Sequence, residues 1–229
     1  MSQRFTNQQN LLNQTKLHDT NFVVIGAGAI GSYFTMTLSK MGARKVTVFD
    51  FDVIEDKNIA NQVYPKSAVG KLKVDALWDI AFSYGDCLID RKRRWSINDA
   101  VDGDIVVVAP DNMDVRKTAW DYYKTRPIKF FLDGRMSAQV YKVYGIDMSN
   151  NADKCLYEQT LHPQSEAAQE RCGEKSIIYT VLQVSGQMLS QVKRYLMGER
   201  RPTEVIADLL NDTLSTKYTT EAVYETIDA

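Results

Sequence analysis

Cysteine is scarce in this sequence. The three residues Cys87, Cys155 and Cys172 are odd in number and far apart, and no Cys-x-x-Cys pair occurs. A disulfide framework is therefore not indicated, and a four-cysteine zinc site cannot be built within one chain. Long apolar runs are missing too: none reaches the ~18 residues a membrane helix needs. The first residues, MSQRFTNQQNLLNQTKL, are rich in Gln and Asn and have no apolar core, so no secretory signal is expected. A reducing cytoplasm and no membrane partner are the expectation. An excess of one charge is also absent. With 28 Lys+Arg against 29 Asp+Glu the formal net charge is -1. No global positive field would hold the chain on nucleic acid, so that partner class is not expected. Histidine is limited to His18 and His162, isolated and read as surface residues.

What is present is ordinary globular material, 44% hydrophobic and 25% charged over 229 residues, which excludes disordered and fibrous classes. One domain over 1–229 is expected. Five short, β-branched, apolar segments read as buried strands: Asn21–Ile25, 45–50, 87–90, 105–109 and 129–133. Helical stretches separate them at Ala29–Met41, 69–82 and 115–124; the second carries Leu72, Ala76, Leu77 and Ile80 at helical spacing. Alternation of this kind implies βαβ units. The expected fold is α/β, a Rossmann-like, doubly wound, mostly parallel sheet. Residues 137–146 alternate and read as an added strand, for which the short link at 134–136 makes an antiparallel return one option. Residues 1–20 read as a helical segment. Residues 147–175 are polar without clear periodicity and read as a crossover that is either disordered or a lid. Residues 176–197 form a long final helix that Gly198 would stop. From 211 the chain reads as a tail, with a weak strand as the alternative from Thr213.

Three motifs carry chemistry. Gly26-Ala27-Gly28-Ala29-Ile30-Gly31 follows a strand and opens a helix. The glycines permit a tight turn and close backbone approach, and the helix N-terminus offers N–H donors to phosphate. Such a loop alone is weak; the strand before it and the helix after it supply the confirming context. Asp50 then ends the second strand where dinucleotide folds place a ribose-binding carboxylate, which taken alone favours NAD. Asp52, Asn58, Asn61-Gln62 and Gly70-Lys71-Leu72-Lys73 follow. Lysine to neutralise phosphate and carboxylate to suit magnesium fit a triphosphate better, against the alternative of solvated loop charges. Last, Asp111 and Asn112 follow the fourth strand, with Arg116 beyond. A residue there faces the ligand crevice of a parallel sheet, or caps the next helix.

This set, in this order and spacing, resembles the ThiF/MoeB/HesA superfamily, the adenylating core of ubiquitin-activating enzymes, over roughly residues 4–200. The resemblance implies binding of ATP and Mg2+ and adenylation of the C-terminal carboxylate of a small ubiquitin-like or sulfur-carrier-like protein or peptide, by a homodimer. Carried over by position, Gly26, Gly28 and Gly31 form the nucleotide loop, with Gly28 beneath the phosphates. Asp50 holds the ribose, Asn58 and Lys73 contact the phosphates, and Gln62 lies near them. Asp52 and Asn112 complete the binding set, Asp111 holds magnesium, and Arg116 ties its helix to the sheet. Lys73 and Asp111 are the leading catalytic residues. Cys172 matches a cysteine that is reactive in some members; Cys155 shares its loop, Cys87 reads as core, and no zinc is expected. The sequence departs from the pattern at Asn61 and at Asn7-Gln8, where active members carry arginine. Arg4 and Arg135 are the residues placed to restore that charge. An adenylation-deficient nucleotide-binding scaffold subunit is the second reading. An NAD-dependent oxidoreductase is the third, though no Tyr-Lys or His-Asp pair at recognisable spacing supports it. The basic run Arg91-Lys92-Arg93-Arg94-Trp95 suits an acidic partner or RNA, or else a solvated strand edge.

Overall fold

The computed structural model describes residues 3–163, 165 and 176–219. Its helices are α1 (Gln14–Asp19), α2 (Ala29–Met41), α3 (Lys73–Tyr84), α4 (Met113–Tyr123), α5 (Asn151–Glu158) and α6 (Ile178–Met197). Its strands are β1 (Asn21–Ile25), β2 (Lys45–Phe49), β3 (Leu88–Lys92), β4 (Ile105–Val108), β5 (Phe130–Ser137), β6 (Val140–Asp147), β7 (Glu204–Asp208) and β8 (Thr213–Lys217). They form one eight-stranded sheet in the order β3-β2-β1-β4-β5-β6-β7-β8. The first five strands of that order run parallel, and β6, β7 and β8 continue it antiparallel. The α/β, mostly parallel, doubly wound architecture is as the sequence implies.

Period-two alternation in apolar strands fills both faces. Phe22 and Val24 of β1 face a core shared with Phe34 and Leu38 of α2, Leu77 of α3 and Val184 and Met188 of α6. Val23 and Ile25 face the opposite core, with Ala119 and Trp120 of α4 and Leu156 and Tyr157 of α5. Trp120 anchors that side, edge-on to Phe131 at 5.1 Å and to Tyr157 at 4.8 Å.

Boundaries follow local chemistry. Gly42 and Gly198 stop α2 and α6 in the left-handed conformation, with Gly198 where the sequence placed a stop. Asn112 and Asn150 cap α4 and α5 by accepting backbone N–H bonds. The helix read over 69–82 begins later, at Lys73, because Gly70 has φ 89° and turns the chain first. Two expectations need correction. The crossover 147–175 is not structureless where it is described, since Asn150 nucleates α5 within it; residue 164 and residues 166–175 lie outside the described residues. One added strand becomes three: β7 forms in EVIAD, where no strand is expected, and the weak strand at Thr213 is β8, so the long final helix is followed by a hairpin. Among the described residues no helix is long and apolar enough to cross a membrane.

Candidate functional site

The order β3-β2-β1-β4 puts β1 and β4 side by side, with the chain leaving to opposite sides of their carboxyl ends. A crevice opens at such a point, and the first motif lies in it. Gly26 has φ 100°, and a Cβ there would stand 2.8 Å from the Ala109 carbonyl oxygen. A Cβ on Gly31 would stand 1.9 Å from the Gly26 oxygen. These two glycines are required by the fold itself. Gly28 is different: a Cβ there would meet nothing within 4 Å, so its bareness leaves open space in front of the N-terminus of α2.

The loop is braced from outside. The Tyr64 hydroxyl donates to the Ala27 carbonyl at 2.7 Å, and Ala27 N–H donates to Asp50 Oδ2 at 2.7 Å. Asp50 Oδ1 accepts from Asp52 N–H at 2.8 Å. Burial raises the Asp50 carboxyl above its usual range, and Lys73 and the two N–H donors oppose that rise. Burial, with Asp50 and Asp52 nearby, holds Tyr64 well above its ordinary value, so it stays a neutral donor.

Lys73 is brought to the same edge. Its backbone N–H bonds the Asp52 carbonyl at 3.0 Å, and its Nζ pairs with Asp52 Oδ2 at 2.7 Å. The lysine side chain is 7% exposed and the aspartate 48%, so the pair offers its carboxylate outward. Asn58 is buried and spends its oxygen on Glu55 N–H at 2.9 Å. Gln62 is buried with Oε1 unpartnered among the described residues, while Val63 N–H reaches Ser32 Oγ in the first turn of α2 at 3.3 Å. Asn61 donates to Ser176 Oγ, just before α6.

At the carboxyl end of β4, Asp111 is exposed and Asn112 accepts from Asp114 and Val115 N–H at 2.8 and 3.2 Å. Asn112 is thus the cap, which engages the oxygen it would offer a ligand. Behind them lies a cluster the sequence did not resolve. Asp133 is fully buried and accepts from Arg116, from Arg135 Nε at 2.7 Å and from the Tyr157 hydroxyl at 2.9 Å. Arg116 also reaches the Val108 carbonyl at 3.4 Å and the Pro110 carbonyl, which ties α4 to the sheet. Arg135 donates both terminal nitrogens to Thr160 at 3.0 Å and lies over the Tyr144 ring at 4.6 Å. Burial works against charge on Arg135, yet Asp133 holds its pKa above the ordinary value. A phosphate role for Arg135 would require it to leave these partners. The findable signal was Asp133 itself, a carboxylate closing an apolar strand, which needs a cation when buried.

The remaining candidates separate. Arg4 pairs with Asp86 at 3.6 Å, beyond the C-terminus of α3. That places it at the opposite end of the sheet from this crevice, so it cannot restore charge to its own chain's site. Cys87 is buried, and burial pushes its thiol up to about 12, as fits a core residue. Cys155 is exposed on α5; Cys172 lies outside the described residues. Among the described residues no cluster of His, Cys, Asp and Glu could hold a metal alone.

Known proteins resemble this chain in sequence and in fold. Adenylyltransferase and sulfurtransferase MOCS3-1 of Zea mays is 27% identical over 195 residues, covering 79% of this chain and 40% of that protein. Adenylyltransferase and sulfurtransferase uba4 of Emericella nidulans is 37% identical over 70 residues, 30% of this chain and 14% of its own length. The chain therefore spans well under two thirds of these curated relatives. The fold matches E. coli MccB, solved with ATP, at TM-score 0.75 and 14% identity over 96% of this chain and 72% of that one. The same protein solved with MccA gives TM-score 0.76 over 100% and 74%. The sequence model of the ThiF family matches residues 3–222, nearly the whole chain, and the protein belongs to that family.

Proposed function

We propose that this chain is an ATP-dependent adenylyltransferase that activates the C-terminal carboxylate of a small ubiquitin-like or sulfur-carrier-like protein, or of a peptide, and that it works as a homodimer. The observation that carries the reading is the open backbone cradle at Gly28, set against a carboxylate, Asp50, already fixed to Ala27. An N-terminal helix end with space before it suits phosphate. A carboxylate beside it suits the ribose hydroxyls. The curated relatives named above are adenylyltransferases, and MccB was solved with ATP and with MccA.

In the reaction a substrate carboxylate oxygen attacks the α-phosphorus. The bond from that phosphorus to its bridging oxygen breaks, and pyrophosphate leaves with the electron pair. The chain's part is to hold phosphorus and carboxylate in line and offset charge. Loop amides and the start of α2 take the phosphates, Asp50 orients the ribose, and Lys73 faces the phosphates when it turns from Asp52. The exposed Asp111 is a hard oxygen donor of the kind magnesium takes. Bound there, the metal would neutralise phosphate charge.

One observation favours the scaffold reading. Lys73, Arg116 and Arg135 each sit on a carboxylate, so the charge of these three cations is already matched within the chain. Such a subunit would bind ATP without turning it over. Thermal unfolding with ATP and magnesium against NAD is the first test. The expected result is a raised midpoint with ATP and magnesium, by ~2.7 kcal/mol of stability at a hundred times the dissociation constant, lost in Asp111→Ala. Pyrophosphate exchange with a carboxylate acceptor then separates enzyme from scaffold. A shift with NAD and none with ATP would overturn both.

A further inference from the structure

At the opposite end of the sheet from the crevice, where β5 begins, lies a cavity of about 470 Å³. Lys124, Arg126, Lys129 and Lys154 line it, against a single lining carboxylate, Asp147. That carboxylate is engaged. Its Oδ1 accepts from the Ser149 hydroxyl at 2.6 Å and the Ser149 N–H at 3.0 Å, and its Oδ2 lies 3.4 Å from Arg201. The four cations differ. Lys124 sits at the C-terminal end of α4 and pairs with Asp121 at 3.0 Å and Glu158 at 3.2 Å. Helix end and carboxylates explain it. Lys129 pairs with Asp104 at 2.7 Å. Arg126 lies over the Tyr122 ring at 4.6 Å and has no carboxylate partner among the described residues. Lys154 is half-buried and has neither an ion pair nor a side-chain hydrogen bond among the described residues. It stands in the first turn of α5, the helix end whose positive dipole disfavours a cation. Its neighbour Asp153 is buried and turns inward, accepting from the Thr203 hydroxyl at 2.7 Å and the Asp147 N–H at 2.9 Å. Packing and pairing therefore do not explain Lys154, and its place costs the fold unless an anion meets it.

We propose that this cavity is a second anion site, which takes a small phosphate-bearing molecule with Arg126 and Lys154 as its anchors. Guanidinium and ammonium give phosphate oxygens charge-assisted hydrogen bonds. The volume lies within the ~300–1,000 Å³ range of small-molecule sites. It exceeds what a bare phosphate fills, and Ile128 and Met148 in its lining offer an organic body an apolar wall. Tyr195, stacked on Phe130 at 4.5 Å, brings a phenol to the same cavity. A nucleic-acid backbone is the poorer fit. Asp104, Asp121 and Glu158 already sit on two of the four cations, and the chain's net charge is -1, so a long polyanion gains little here. The site is at the other end of the sheet from the glycine loop, and the proposal does not rest on the nucleotide reading.

The test is calorimetric titration of the full chain in EDTA, which withholds the magnesium proposed for the crevice. The probes are phenyl phosphate, inorganic pyrophosphate and a short oligothymidylate. Arg126→Gln and Lys154→Gln are each expected to weaken binding of the small phosphates by about tenfold, while Gly28→Ala stays within about twofold of wild type. Tighter phenyl phosphate would make the ligand an organic phosphate, and tighter pyrophosphate an inorganic one; either result supports the site. Lys154→Gln is also expected to hold or raise the unfolding midpoint without ligand, because it removes a cation from the start of a helix. Four results would overturn the proposal. Wild-type protein that binds neither small phosphate at millimolar concentration has no such site. Binding unchanged in both cavity variants lies elsewhere. Binding lost equally in Gly28→Ala belongs to the crevice. Oligothymidylate that binds more tightly than either small phosphate, and is weakened by the same two substitutions, would make this face a nucleic-acid surface instead.

Discussion

Around Gly28 the chain withdraws its side chains and leaves backbone facing empty space, whereas around Asp133 it fills the space with two arginines, two tyrosines and a threonine. Both regions lie at the same end of one sheet. The first is braced from within at one residue: Asp50 accepts from the Ala27 N–H, and the Tyr64 hydroxyl donates to the Ala27 carbonyl. The second pairs Asp133 with both guanidiniums and the Tyr157 hydroxyl. Position at a strand's carboxyl end therefore does not make a charged residue a ligand contact. What distinguishes the two is whether its partner is already inside the protein.

That contrast breaks most visibly at Asp133. Removing the carboxylate leaves two guanidiniums, with side chains 7% and 14% exposed, without their counter-charge. Asp133→Ala is expected to cost ~3–5 kcal/mol, the usual effect of stripping one partner from a buried pair. Urea unfolding measures it. A loss under about 1 kcal/mol would mean that water or Thr160 compensates and that the cluster is looser than its geometry implies.

The glycine loop sharpens the same comparison within six residues. Gly31→Ala drives a methyl into the Gly26 carbonyl, 1.9 Å away, and is expected to cost at least ~1–3 kcal/mol as overpacking with a displaced loop. Gly28→Ala meets no protein atom within 4 Å. It is expected to cost about 1 kcal/mol or less, through the poorer helix cap, while lowering ATP affinity roughly tenfold or more by filling the space a phosphate needs. Paired unfolding and binding titrations check this. If Gly28→Ala binds ATP as wild type does, the cradle is not where phosphate sits.

How much of this was legible follows the same division. The βαβ half was readable because its strands are apolar runs and its turns carry glycine, signals that are local in sequence. Ala29–Met41 and Asn21–Ile25 match residue for residue. Of the β7–β8 hairpin only the second strand was legible, as the alternative to a tail, since Thr213–Lys217 is exposed throughout and EVIAD is too short to declare a period. The meeting of Asp50 with the glycine loop was legible by motif. The locking of Arg135 was not, because its partners Asp133, Tyr157 and Thr160 lie on elements that only the packed sheet brings together. The place of Arg4 was not legible either: it pairs with Asp86 across the sheet from its own chain's crevice.

The smallest expected effect is a pH dependence at Asp50, a carboxylate that holds two protein N–H groups at the edge of the crevice. Burial raises Asp50 above the ordinary carboxylate value, with Lys73 and its two N–H donors pulling the other way. A carboxyl raised on folding contributes most to stability while protonated, and that contribution is lost as pH rises through its folded-state value. Relative to Asp50→Asn, wild-type stability is therefore expected to fall as pH rises from the ordinary carboxylate range to above it. ATP affinity should move the opposite way over that window, since ribose hydroxyls donate to the ionised form. Urea unfolding of both proteins across the range, with ATP titrations beside it, gives the two slopes. A flat stability difference with rising affinity would show that the N–H donors cancel burial before any nucleotide arrives, and that Asp50 is held ready by the loop at no cost to the fold.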